Sequence, residues 1–256
     1  MNSPDFFQGF VRPQRRNSPS LAAAVHAAMG DEAARPALLA RLQHPDQKLG
    51  TFLMLSDLMV GQGPVPAQRL QACKLMMTLL PEAAPATSAD AVKAAALLVC
   101  GQENHELQQM GLAVLELALT YDKSHAASVL AVVRQGSRPR DTAASQVGTL
   151  QLLSLIAQEA PRAMTTYYTR QYVEGGLQSP QQVVRHAALD TTLSLANKAP
   201  HAVTGSLCAK LKEGGMAAPT QEERMLALRL HHVADNAMQR EKFKAEAPTA
   251  WAPPRY

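Results

Sequence analysis

VGTLQLLSLIAQEAPRAMTTYYTRQYVEGG (147–176) and HAALDTTLSLANKAPHAVTGSLCAKLKEGG (186–215) are one pattern written twice. Laid over each other at an offset of 39 residues, they need no gap. Leu150 falls on Leu189 and Ile156 on Leu195. Ala160-Pro161 falls on Ala199-Pro200, and Glu174-Gly175-Gly176 on Glu213-Gly214-Gly215. Two separate short motifs that share one offset mark an internal repeat.

The repeat has a direct physical reading. Its first stretch spaces apolar residues as one face of a helix does. The proline then opens a second helix in its first turn, where a missing N–H costs nothing. The Gly-Gly closes that helix, because glycine adopts the left-handed cap conformation freely. A two-helix unit of this size cannot bury both apolar faces alone and must stack on neighbours.

Weaker copies flank the pair. Upstream, Leu112, Leu115 and Leu117 fall on Leu150, Leu153 and Leu155 at an offset near 38, and Gly136 closes the second helix. Downstream, "TQEERMLALRLHHVADNA" opens with the capping-box residues Thr220 and Glu223, and "QREKFKAEA" reads as a short charged terminal helix. Towards the N-terminus, "SPSLAAAVHAAMG", "PALLARLQ", "DQKLGTFLMLSDLMVGQG", "PAQRLQACKLMMTLLP" and "SADAVKAAALLVCG" are helices parted by Gly and Pro. The reading divides the chain into a flexible arm at 1–17, degenerate helices at 18–101, repeats at 104–245 and a proline-rich tail at 246–256.

Composition agrees. The 256 residues are 46% hydrophobic but only 4% aromatic, with alanine and leucine dominant, which suits closely packed helices rather than sheets. No apolar run reaches the ~20 residues a membrane span needs, and the N-terminal basic residues follow a short apolar stretch, the reverse of a secretory signal. Cys73, Cys100 and Cys208 are far apart in apolar helical patterns and read as buried, reduced thiols of a cytosol-like compartment. Of the net charge of +4, residues 31–122 carry −4 and residues 123–256 carry +6.

In repeat length, helix–proline–helix layout and apolar spacing the chain resembles the armadillo/HEAT class of α-solenoids. The resemblance covers about 104–238 clearly and 46–101 less completely. It implies an all-α fold, a right-handed solenoid of stacked helix pairs with a period of about 38–39 residues. It also implies a non-enzymatic role in which a protein partner binds along a concave face. A ladder of asparagines at equivalent second-helix positions, which marks armadillo peptide binding, is missing.

Motifs that carry chemistry are scarce. The chain has no HExxH, GxSxG, GxxxxGK[ST] or GxGxxG. His231 and Asp235 stand four apart on one helical face, but two ligands do not make a metal site, so neither a metal nor a cofactor is expected. Ser18, in "RRNSP", is a candidate phosphorylation site at the start of the first helix, where a dianion is favourable.

Three of the five tyrosines cluster in "TTYYTRQYVEGG" (165–176). The repeat alignment places Tyr168 on Leu207 and Tyr172 on Leu211, which makes both packing residues. Tyr167 falls on Ser206 and Arg170 on Ala209, beside the apolar positions rather than on them. The expected partner contacts are therefore Tyr167, Arg170, Lys210 and Arg134, with the basic residues steering an acidic protein.

A HEAT-like nucleic-acid binder or DNA-repair glycosylase is the second expectation. It rests on Arg162, Arg170, Lys210, Lys212, Lys242 and Lys244 in or near second helices. A bacterial effector secreted into a host cell without a signal peptide is the third, and a plain cytoplasmic location the simplest.

Overall fold

The computed structural model describes residues 19–61, 63–83, 89–101, 104–136 and 142–246. The arm at 1–17, Ser18 and the tail from 247 lie outside the described residues. Among the described residues every regular element is helical, and no helix is long and apolar enough to cross a membrane. The chain forms two compact units, Met1–Leu155 and Ile156–Tyr256.

The first unit begins with α1 (Pro19–Gly30), α2 (Arg35–Arg41), α3 (Pro45–Val60) and α4 (Pro66–Ala83). It continues with α5 (Ala89–Gly101), α6 (His105–Tyr121) and α7 (Ala126–Gly136). The unit boundary falls inside α8 (Ala143–Glu159). The second unit holds α9 (Thr166–Tyr168), a π-helical turn at Thr169–Val173, α10 (Glu174–Leu177), α11 (Gln182–Lys198), α12 (Gly205–Ala217) and α13 (Gln221–Glu246).

The repeat is present in the backbone. α6, α8 and α11 are each 17 residues long. Their starts are spaced by 38 and then 39 residues. Each ends at a residue that leaves the helical region, Asp122 at φ −145°, Ala160 at −134° and Ala199 at −130°. Each is followed by a three-residue 3-10 turn, Lys123–His125, Pro161–Ala163 and Pro200–Ala202. The period is thus a long helix, a break, a tight turn and a second helix. The chain is an all-α repeat protein built of neighbouring helix pairs.

Four local expectations need correction. Pro161 and Pro200 open the 3-10 turns, not the second helices, which begin only after the extended residues Thr165 and Thr204. The Gly-Gly pairs do not stop their helices. Gly175-Gly176 lies inside α10 and Gly214-Gly215 inside α12, and none of Gly175, Gly214 or Gly215 adopts a positive φ. A Cβ on Gly215 would meet Leu228 Cγ at 3.1 Å, so that glycine permits close approach of α13. The terminal pair is one continuous 26-residue helix, α13, because nothing between Asn236 and Glu241 breaks it. Pro81 does not end its helix either but lies inside the last turn of α4.

In the first unit the core centres on α5, where Ala91, Val92 and every residue from Ala94 to Cys100 are buried. A helix apolar all round must be covered all round, and α3, α6 and α7 pack against it. Two glycines let its neighbours approach closely. A Cβ on Gly111 would lie 2.9 Å from Val99 Cγ2, and one on Gly148 would lie 2.1 Å from the Val99 carbonyl oxygen. That same carbonyl, in the last turn of α5, accepts from Gln108 Nε2 at 3.2 Å, and the Gln108 amide also donates to Ala144 O at 3.2 Å. Helix ends leave carbonyls without intrahelical partners, and the buried glutamine satisfies one.

In the second unit α12 and α11 pack on α13, and α10 packs on α11 and α12. Leu189, Leu195, Leu207, Leu211, Leu230 and Ala234 form its buried centre.

Candidate functional site

The second helix of this repeat differs from its copy. α12 is regular and turns Leu207, Cys208 and Leu211 inward. The matching stretch contains the π-helical turn Thr169–Val173, a wider turn of the kind often found at functional sites. Thr169 and Val173, each 0% exposed, and Glu174 carry the inner face. The hydroxyl of Thr169 donates to Ala202 O at 2.9 Å.

The tyrosines aligned with leucines stand further out than their counterparts. Tyr168 and Tyr172 occupy the positions of buried leucines yet are only half-buried, and Tyr167 is 49% exposed. The three rings pack on one another. Tyr167 meets Tyr168 edge-on at 5.2 Å between centroids and Tyr172 at 6.5 Å, while Tyr168 and Tyr172 stack at 6.3 Å. These are ordinary aromatic contact distances, so the rings form a closed patch rather than an open cage. Arg170 stands exposed on the same stretch.

The π-helical turn also brings Glu174 inside. Thr204 Oγ1 and Ser206 Oγ donate to its Oε1 at 2.8 and 2.5 Å. Lys210 Nζ lies 3.3 Å from its Oε2. A second buried carboxylate, Glu223, accepts from Arg185 Nη2 through both oxygens at 3.1 and 3.2 Å, and His186 Nε2 lies 3.2 Å from Oε1. Arg185 Nη1 donates to the carbonyls of Ser179 and Pro180 at 3.1 and 3.0 Å. Between these two clusters lies a cavity of about 460 Å³. Leu177, Leu189 and Leu211 give it apolar walls, and Arg185, Lys210 and Glu223 give it polar ones. Both carboxylates are engaged by cations.

The expected contact residues therefore part company. Tyr167 and Arg170 are together and exposed. Lys210 is half-buried and committed to Glu174. Arg134 is exposed at the end of α7 in the first unit. Glu174, Glu223 and Arg185 went unmarked in the sequence. Glu223 looked like half of a capping box. The hydroxyl of Thr220 does accept from its backbone N–H at 3.2 Å, but its carboxylate turns to Arg185 instead. The available signal was Arg185 itself, a cation in the first turn of α11 where the helix dipole disfavours it without a partner.

Among the described residues no cluster of three or more His, Cys, Asp or Glu could hold a metal ion. No protein-family model matches the chain, and no curated protein matches it. Among solved structures, the chain is similar to an engineered protein at 14% identity, over 86% of this chain and 98% of that one, with a TM-score of 0.45. It is also similar to a HEAT-like repeat protein from the archaeon Thermococcus onnurineus NA1, at 14% identity over 86% and 94% of the two chains, with a TM-score of 0.35.

Proposed function

We propose that this all-helical repeat protein is a non-enzymatic scaffold that captures a partner protein on the tyrosine–arginine face of its second unit. One observation carries the reading. Two tyrosines, Tyr168 and Tyr172, stand half out of the core where the repeat's other copy buries leucines, and the exposed Tyr167 and Arg170 stand beside them. Tyrosine and arginine are the residue types that dominate binding energy at protein interfaces. A self-packed aromatic patch loses little side-chain entropy on contact and gives rigid apolar area. Arg170 adds a fork for a carboxylate, and the charge of +6 over residues 123–256 favours an acidic partner's approach.

The test is site-specific photo-crosslinking. A photoreactive residue at Tyr172, at the edge of the patch, is introduced into the full chain in its native cell. A discrete adduct is expected that survives nuclease treatment. It is lost when Tyr167→Ala and Arg170→Glu are combined, with the melting temperature unchanged. An adduct undiminished by the double substitution, or one removed by nuclease, overturns the proposal.

A further inference from the structure

The last helix of a stacked array normally presents a polar outer face that ends the stack. α13 does not. Met225, Leu226, Val233 and Phe243 are 47%, 37%, 38% and 72% exposed, while Glu223, Ala227, Leu230, Ala234 and Ala237 hold the opposite face inside. On a helical wheel Glu222, Leu226, Arg229, Val233, Arg240 and Lys244 form one outward stripe, with Met225 and Phe243 along the same edge of it. The stripe runs roughly 33 Å at about 1.5 Å per residue.

The order of residues along this stripe is self-complementary. Turned end for end about Val233, Glu222 comes opposite Lys244 and Leu226 opposite Arg240. Met225 comes beside Phe243, and Val233 meets itself. The acidic end of the helix thus faces the basic end of a second copy, and each exposed apolar residue gains an apolar or alkyl neighbour. Lys244 Nζ already lies 2.7 Å from Glu241 in its own helix, but it is 72% exposed and has donors to spare. A two-fold contact of this kind is self-limiting, because the same patch serves both subunits.

From these positions we infer that the outer face of α13 is a homodimer interface, with the two helices antiparallel about Val233. The occupant is a second copy of this chain. Two ion pairs between Glu222 and Lys244 set the register. The contact is small for a stable dimer, so self-association at tens of micromolar is expected rather than permanent pairing.

Sedimentation velocity of the full chain from about 1 to about 200 μM tests it, with a dissociation constant on the order of 10 μM expected. Val233→Lys places like charges on the two-fold axis and should weaken the dimer at least about tenfold. Glu222→Lys or Lys244→Glu alone should weaken it about tenfold, and the two together should restore it to within about threefold. All these positions face solvent, and circular dichroism checks that each variant keeps its helicity. A monomer throughout the range, or a dimer indifferent to Val233→Lys, overturns the inference. A double charge swap that fails to recover association overturns the antiparallel register.

Discussion

Glu174 and Lys210, on successive second helices of the repeat, form an ion pair at 3.3 Å in which the carboxylate is 5% exposed and the ammonium 29%. Two hydroxyls complete the carboxylate's shell. Breaking a buried pair from one side leaves a charge without compensation. Lys210→Ala should therefore destabilise the second unit by about 1–2 kcal/mol, and Glu174→Ala by about 2–3 kcal/mol. Glu174→Gln keeps an acceptor for Thr204 and Ser206 and should cost only about 1 kcal/mol. Chemical denaturation of the three variants gives the order. The same reasoning separates Lys210 from Arg170, whose substitution should leave stability within about 0.5 kcal/mol.

Thr204 and Thr165 occupy the same place in adjacent repeats but do different things. Thr204 Oγ1 accepts from Leu207 N at 3.0 Å and donates to Glu174 at 2.8 Å. Thr165 makes no side-chain cap. Thr204→Ala should cost about 1–2 kcal/mol, and Thr165→Ala less than about 0.5 kcal/mol. Equal losses in thermal unfolding would show that the hydroxyl bonds are not what distinguishes the two.

Two glycines of helices should respond oppositely to alanine. A Cβ at Gly148 would sit 2.1 Å from a backbone oxygen of α5, which cannot move without shifting the helix. Gly148→Ala should cost about 3 kcal/mol or prevent folding. A Cβ at Gly175 meets nothing within 4 Å. Gly175→Ala should stabilise by roughly 0.5–1 kcal/mol, because helical glycine carries excess unfolded-state entropy. Melting temperatures of the pair check both signs.

The thiols should be chemically silent in the folded chain. Burial pushes Cys73 from its ordinary 9.0 up to about 12. Cys208 is raised too, chiefly by burial and then by the charge of Asp235. A thiol reagent at pH 8 should label none of the three in buffer and all three in denaturant. The raised values also fix a sign. The unfolded chain releases these protons first, so their contribution to stability is complete below pH 9.0 and is lost as pH climbs towards about 12.

The repeat was legible because leucines and Ala-Pro pairs recur at one spacing, and the backbone keeps that spacing in α6, α8 and α11. The ends of elements were not. Gly-Gly can close a helix, yet Gly215 serves helix–helix contact with Leu228, and no pattern in one sequence tells these uses apart. The site was half legible. The repeat's alignment marked Tyr167 and Arg170 as lying off the apolar positions. It also equated Glu174 with Glu213, although one is buried and the other exposed. The difference comes from the π-helical turn, which depends on Thr169 finding Ala202 O across the packing and leaves no local signature.

That wider turn joins two properties of the chain that selection would otherwise tune separately. The rotation that brings Tyr172 out of its core position is the one that turns Glu174 inward to Lys210. Rewinding the segment to a regular α-helix of the same length would return Tyr172 towards the core and turn Glu174 away from Lys210. Descendants of this gene can therefore change the tyrosines freely only while the inner ion pair is kept. A rewound helix should lose the exposed face of Tyr172 and the stability of the inner ion pair together.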